Sequence, residues 1–373
     1  MTGLYVHIPF CKKKCHYCNF VITGSGPLAD RERFFSALEM EIVHYVPRFA
    51  DVVFDTLYVG GGTPSTMTLE ETVKFFGLIR KNFRVKPEAE ITLEVNPGDV
   101  GAEKARLYRE LGVNRVSLGA QSFNEVTLKR INRAHGPGEI TESFAHLRKA
   151  GFQNINLDLI LSLPDEGLED VQYSLERLAA LGPEHVSVYE LTIEDKTVFG
   201  QEFKTGKLRL PPEEGQIQHL SFTQNFLQDK GFHRYELLNY AKPCFESRHN
   251  LLYWANENYL GLGPGAFSYF DGRRFRNSAS FEEYVAKIEK DDWSAFEEET
   301  LTPEKMETES FLLALRLCDG ADRGRFAPLL SRYNGTIEDL VDKGLLSQNE
   351  KTIRLTSQGQ LLAETVFSEL SLP

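Results

Sequence analysis

Leu4-Tyr5-Val6-His7-Ile8-Pro9-Phe10-Cys11-Lys12-Lys13-Lys14-Cys15-His16-Tyr17-Cys18 sets a short strand-like run directly before three cysteines spaced C-x3-C-x2-C. The other two of the five cysteines, Cys244 and Cys318, are isolated, which is no pattern for a disulfide framework and makes the loop a metal candidate. Three thiolates in one loop can wrap one face of an iron-sulfur cubane, since thiolate is the ligand such clusters prefer. One iron then lacks a protein ligand, and an open coordination position admits substrate, as on catalytic zinc. A structural zinc site completed by His7 or His16 is the competing assignment, although the paired C-x2-C arms of a zinc ribbon are missing.

Outward from the loop, strand and helix signals alternate. Phe34, Phe35, Leu38, Ile42 and Tyr45 recur at helical spacing. Phe54 to Val59 predicts a buried strand, Leu69 to Asn82 a helix and Ile91 to Val95 a strand. Helix Ala102 to Leu111, strand Arg115 to Leu118, a helix reaching Ala150, strand Ile155 to Leu161, a helix reaching Leu181 and strand His185 to Tyr189 complete about six βα units. This alternation predicts an α/β fold with parallel strands and outer helices, in an open or closed barrel. Chemistry in such a barrel sits at the C-terminal ends of the strands. There the chain has Gly60-Gly61-Gly62-Thr63-Pro64, Glu94 in Leu93-Glu94-Val95-Asn96-Pro97, Gln121 in Gly119-Ala120-Gln121-Ser122, and Asp158 in Asn156-Leu157-Asp158-Leu159. Missing Cβ atoms let backbone approach a ligand closely. Polar groups on several strands around one mouth suit a nucleoside with ribose hydroxyls and a base edge.

The 373 residues, 41% apolar, suffice for one large domain of about 250 residues plus an appendage. The net charge of −12 speaks against a generic nucleic-acid surface. No run approaches the roughly 20 apolar residues of a membrane span, and no basic segment with an apolar signal core precedes Leu4. The cytoplasm is the expected location, with at most a peripheral position at the membrane. From about Thr302 the pattern changes: a helix through Met306, Phe311 and Leu317, a second through Ile337 to Leu346, a hairpin at Asn349-Glu350-Lys351 and a last helix from Ser357. That order resembles a winged helix. Residues 303–373 hold eight Lys plus Arg against eleven Asp plus Glu, so a lid or docking role fits better than DNA binding. The expected organisation is a barrel core over 1–195, a barrel-closing region over 196–301 and a winged-helix-like domain over 302–373.

The cysteine loop, the glycine run and the polar strand ends together resemble the radical S-adenosylmethionine (SAM) superfamily, and motif by motif its coproporphyrinogen dehydrogenase-like branch. The resemblance covers nearly the whole chain and implies a partial (β/α)6 radical SAM barrel. It implies that Cys11, Cys15 and Cys18 hold a 4Fe-4S cluster whose open iron is chelated by SAM, with an electron from the cluster cleaving the sulfonium to a 5′-deoxyadenosyl radical. The implied SAM contacts are Tyr5, Tyr17, Gly61, Gly62, Thr63, Glu94, Gln121, Arg133, Asp158 and Thr192, the last through backbone. Arg133 can grip the SAM carboxylate with its planar fork, although Arg130 lies close by in sequence.

Within that branch the decarboxylating dehydrogenases carry a fourth cysteine where this chain has Phe20, and an extension before the first strand, whereas only four residues precede Tyr5 here. The HemW heme chaperones lack that cysteine and carry H-N-x-x-Y-W, present here as His249-Asn250-Leu251-Leu252-Tyr253-Trp254. Imidazole is a common axial ligand of heme iron, and flanking aromatic rings supply apolar surface. The resemblance therefore implies heme as cargo, with His249, Tyr253 and Trp254 at its site; a packed, hydrogen-bonded histidine is the plain alternative. Gly261-Leu262-Gly263-Pro264-Gly265-Ala266-Phe267 departs from the family loop, which usually has His where Phe267 stands, and lacks the register of a dinucleotide loop. Implied partners are apo-hemoprotein acceptors such as membrane-bound respiratory enzymes, and an electron donor such as flavodoxin or ferredoxin. Oxygen-independent coproporphyrinogen III dehydrogenase is the alternative function, and a purely structural zinc or iron-sulfur module the third.

Overall fold

Short apolar runs between amphipathic helices leave parallel strands covered by helices as the way to bury both. A computed structural model describes residues 1–24, 28–293 and 297–371. In chain order come Thr2–Ile8 (β1), Leu28–Phe49 (α1), Val53–Gly61 (β2), Leu69–Asn82 (α2), Arg84–Val95 (β3), Ala102–Glu110 (α3), Arg115–Gln121 (β4), Glu125–Arg130 (α4), Pro137–Lys149 (α5), Ile155–Leu161 (β5), Leu168–Leu181 (α6) and His185–Glu190 (β6). Strands β1 to β6 pair in sequence order, all parallel, which is the expected partial (β/α)6 barrel.

Local chemistry sets the elements. Helix α2 opens with a reciprocal capping box between Thr68 and Glu71, and α6 ends on Gly182 at φ 69°. Along the strands one set of alternating residues faces the helices. Leu4, Val6, Leu57, Val59, Leu93, Val116, Leu118, Leu157 and Val186 share a core with Phe34, Leu38 and Ile42 of α1, Phe75 and Ile79 of α2, Leu147 of α5 and Leu175 of α6. The other set faces inward and is polar: Tyr58, Thr92, Glu94, Arg115, Ser117, Asn156, Asp158 and His185. Closed barrels usually fill this space with branched apolar side chains.

Two differences from the sequence pattern have local causes. Strand β3 begins at Arg84 rather than Ile91, because its first half is polar and lacks apolar alternation, with Lys86 paired to Asp55 of β2 at 2.5 Å. The helix expected to reach Ala150 is two helices, α4 and α5, broken where Asn132 takes φ 63° and Pro137 starts the second.

Residues beyond β6 form Val198–Lys204 (α7), Glu213–Asp229 (α8), His233–Arg234 (β7), Asn239–Ala241 (β8), Arg248–Trp254 (α9), Asn258–Leu262 (β9), Phe267–Phe270 (β10), Arg273–Arg276 (β11), Phe281–Glu289 (α10) and Glu297–Thr300 (β12). Rather than joining the sheet into a ring, they extend it at both edges, in the order β12-β11-β10-β9-β1-β2-β3-β4-β5-β6-β8-β7. Strand β9 pairs parallel with β1, Tyr5 opposite Gly261.

The chain ends with Pro303–Ala314 (α11), Ala321–Asp322 (β13), Ala327–Arg332 (α12), Asn334–Asp342 (α13), Leu346–Gln348 (β14), Thr352–Leu355 (β15), Ser357–Leu361 (α14) and Ala363–Ser371 (α15). A three-stranded antiparallel sheet, β13-β15-β14, packs with these helices around Phe311, Leu315, Phe326, Leu340, Ile353 and Val366, the winged-helix-like make-up read from sequence. Leu237 joins this second core, beside a bridge between Glu236 and Leu317. Among the described residues no helix is long and apolar enough to cross a membrane.

Candidate functional site

The cysteine loop leaves β1 and crosses the C-terminal ends of the strands. Hydrogen bonds pin it: Cys11 N to Thr23 O at 3.2 Å, Thr23 N to Pro9 O at 2.7 Å, His16 N to Ile131 O at 3.2 Å and Cys18 N to Cys15 O at 3.2 Å. Cys11, Cys15 and Cys18 all open on one cavity of about 490 Å³. The Thr63 hydroxyl lies 3.1 Å from Cys11 Sγ, and Arg133 Nη1 lies 3.5 Å from Cys15 Sγ. Burial pushes the Cys11 thiol up to about 11 and raises Cys18 as well. His7 and His16, the candidate fourth zinc ligands, do not line the cavity. Both His7 nitrogens are engaged, with Val21 O at 2.7 Å and the Tyr5 hydroxyl at 3.1 Å, and His16 Nδ1 meets Arg130 O at 3.0 Å. Among the described residues no group of three or more His, Cys, Asp and Glu side chains is disposed to hold a metal ion. The three thiols share one cavity, and thiolate is the donor that iron-sulfur clusters prefer.

The same cavity is lined by Tyr17, Gly61, Gly62, Thr63, Glu94, Gln121, Arg133, Asp158 and Thr192. Tyr5 is not in its wall; it lies one layer down, its ring 6.1 Å from that of Tyr58. Glu94 accepts from the Tyr58 hydroxyl at 2.7 Å and from Gly61 N at 3.1 Å, and burial pushes its carboxyl up to about 7. Asp158 accepts from Asn156 at 2.7 Å and Ser117 at 3.2 Å; burial raises it too. Arg133 donates to Asn96 Oδ1 and to the Gly119 carbonyl, each at 2.6 Å, while Arg130 is turned away into an ion pair with Glu202. Arg133 Nε and Gln121 Oε1 are buried without partners among the described residues, so donor and acceptor capacity remains in the wall for a polar guest. Gln121 sits at φ 69°, a conformation that non-glycine residues rarely adopt. Sequence reasoning missed Tyr58, Asn96 and Ser117; the period-two pattern that puts Gly60, Glu94 and Gly119 inward would have found Tyr58 and Ser117.

The His249 segment lies elsewhere. Helix α9 packs on the first two strands away from the cavity mouth, its first amide groups capped by the Glu90 carboxylate. His249 is 1% exposed, with Nδ1 2.7 Å from Thr56 Oγ1 and Nε2 2.9 Å from the Tyr253 hydroxyl, and burial lowers it to about 3. Both ring nitrogens are thus engaged. Trp254 stacks under Arg316 at 4.6 Å, with its Nε1 buried and unpartnered among the described residues. Phe20, where the fourth cysteine would stand, is 66% exposed at the cavity, and Phe267 lies on β10 outside it.

Comparison with known proteins follows the same lines. Residues 5–178 match the radical SAM superfamily and residues 301–362 the HemN C-terminal domain. The heme chaperone HemW of Bacillus subtilis is 35% identical, over 98% of each chain, and that of Escherichia coli is 31% identical, over 98% of this chain and 97% of the other. Among solved structures, coproporphyrinogen III oxidase (HemN) from Escherichia coli, described as a radical SAM enzyme, superposes with a TM-score of 0.88 at 26% identity, covering 99% of this chain and 89% of that one.

Proposed function

Because the chain belongs to the HemW family of radical SAM heme chaperones, we propose that it binds a 4Fe-4S cluster, SAM and heme, and hands heme to apo-hemoproteins such as membrane-bound respiratory enzymes. The observation that carries this reading is the gathering of the three cysteine thiols and the polar strand ends around one cavity. Cys11, Cys15 and Cys18 would hold the cluster, which supplies a one-electron centre with an open iron. Arg133 would pair with the SAM carboxylate, Glu94 and Asp158 would accept from the ribose hydroxyls, and Gln121 would meet the remaining polar groups. A small carrier such as flavodoxin or ferredoxin would deliver the electron, in the cytoplasm.

Heme ligation by His249 requires Nε2 to exchange the Tyr253 hydroxyl for iron. The test is to reconstitute the cluster anaerobically, add hemin and look for a stoichiometric complex. His249→Ala should lower the heme absorbance while cluster content holds; unchanged heme affinity would remove His249 as ligand without touching the chaperone reading. Coproporphyrinogen III dehydrogenation is the second reading, favoured by the close superposition on HemN. Phe20 in place of a fourth cysteine speaks against it. Product analysis with coproporphyrinogen III should show no protoporphyrinogen IX, and stoichiometric decarboxylation would overturn the chaperone assignment.

A further inference from the structure

The edge of the large sheet and the C-terminal unit enclose a second cavity, of about 600 Å³, that shares no wall residue with the cysteine cavity. Helix α8 and strands β7 and β8 form one side of it, and β14, β15 and α14 the other. Two guanidiniums stand in the wall, Arg234 of β7 and Arg354 of β15, and no wall residue is a carboxylate. Arg234 is fixed by neutral oxygens: Nε donates to Glu236 O at 3.3 Å, Nη1 to Gln360 Oε1 at 2.7 Å and Nη2 to Leu237 O. Its charge is thus aligned without being neutralised, and its fork keeps N–H groups for a guest. Arg354 is exposed, and among the described residues its guanidinium has neither a hydrogen bond nor an ion pair. His233, the third basic side chain, has its Nε2 2.7 Å from Glu246 and adds no free charge. Glu190 and Glu236 lie near Arg234 but outside the wall, and burial raises both carboxyls, which weakens what they offset. On a chain of net charge −12 the cavity is therefore a local reversal of sign.

The rest of the wall supplies neutral hydrogen-bonding groups. Ser347 lies opposite Arg354 in the antiparallel β14–β15 pair, so the two side chains share a face. Gln224 and Gln228 of α8 and Ser357 of α14 bring amides and a hydroxyl that have no partner among the described residues. A guanidinium takes two oxygens of a phosphate or carboxylate in parallel, and amides and hydroxyls suit the remaining oxygens and a hydroxylated body. The volume lies within the range of about 300 to 1,000 Å³ usual for small-molecule sites. We propose that this cavity binds a small organic oxyanion, a phosphate ester or a carboxylate, held between Arg234 of the sheet edge and Arg354 of the C-terminal unit. Such a ligand fastens the two units to each other. The assignment is independent of the cluster, SAM and heme.

The experiment titrates glucose 6-phosphate and succinate separately into the cluster-loaded protein, at an ionic strength held constant with sodium chloride, and follows calorimetric heat and the thermal midpoint. At least one of the two should bind with one-site saturation and raise the midpoint, since a ligand of the folded state stabilises it by mass action, whereas glucose should do neither. Tighter binding of glucose 6-phosphate identifies a phosphate ester as the ligand class, and tighter binding of succinate a carboxylate. Arg354→Gln removes the charge without breaking any hydrogen bond of the described residues, and should weaken binding about ten- to hundredfold, the worth of one charge-assisted hydrogen bond. Ser357→Glu sets a like charge in the wall and should weaken it at least tenfold, with a midpoint in the absence of anion that matches the wild type. Absence of saturable binding of both anions would overturn the proposal. Wild-type affinity in Arg354→Gln or in Ser357→Glu would overturn it as well, because the anion would then sit elsewhere.

Discussion

Gly61 and Gly62 have two reasons to be glycine. A Cβ on Gly61 would lie 2.4 Å from His7 Nδ1, at φ 103°, and one on Gly62 would lie 2.8 Å from Ile8 O. Room for a ligand was the reason legible in sequence; crowding against the exit of β1 was not, because His7 and Ile8 are distant in the chain and adjacent only through pairing. Gly61→Ala should therefore cost several kcal/mol, on the order of 3, and lower cluster content through displacement of the cysteine loop. A thermal melt matching the wild type would contradict this. Ligand roles separate more cleanly. Alanine at Cys11, Cys15 or Cys18 should abolish the cluster, whereas Cys244→Ala and Cys318→Ala should retain it, as read from iron and sulfide content. Glu94→Ala or Asp158→Ala should weaken SAM's perturbation of the cluster's paramagnetic signal about ten- to hundredfold in affinity, the worth of one charge-assisted hydrogen bond.

Among the elements, α9 is the one whose position no local signal gives. Its His249 ring packs 5.1 Å from Tyr58, and Tyr58 donates to Glu94, so a helix far from the cavity braces a cavity residue from behind. At the other end Trp254 stacks on Arg316, and Asn256 donates to Ser310 of α11 at 3.0 Å, tying the same segment to the C-terminal unit. Seven residues are too few for a reliable periodicity, and the aromatic motif reads equally as heme pocket or as packing. The βα units were legible because each helix and strand repeats its pattern over several turns or pairs. Strands β7 to β12, two to five residues each, carry no such repeat. His249→Ala removes two buried hydrogen bonds and ring packing, which should cost about 2 to 4 kcal/mol. Denaturant midpoints for this variant and for Tyr253→Phe check it, with the smaller loss expected for the latter.

Across the whole molecule, Glu41 of α1 accepts from Tyr284 at 2.7 Å, Gly263 N at 2.8 Å and Asn277 at 2.5 Å, clamping the outer helices to the end of β9. Burial pushes its carboxyl from 4.5 to about 7. The native state thus keeps a proton that the unfolded chain releases above 4.5, and stability falls as pH rises between these values, by up to about 3 kcal/mol, then levels off. Glu41→Gln should flatten that slope between about pH 5 and pH 8 in urea titrations, and an unaltered slope would exclude Glu41 as its source. The sheet order has a consequence for biosynthesis. Strand β1 stands mid-sheet, yet its second neighbour, β9, is translated about 250 residues later, so through most of synthesis a row of backbone amides and carbonyls beside the cysteine loop is bare. A nascent chain halted before Asn258 should therefore aggregate or recruit a holdase on the ribosome, and the cluster is best inserted only after that row is sealed.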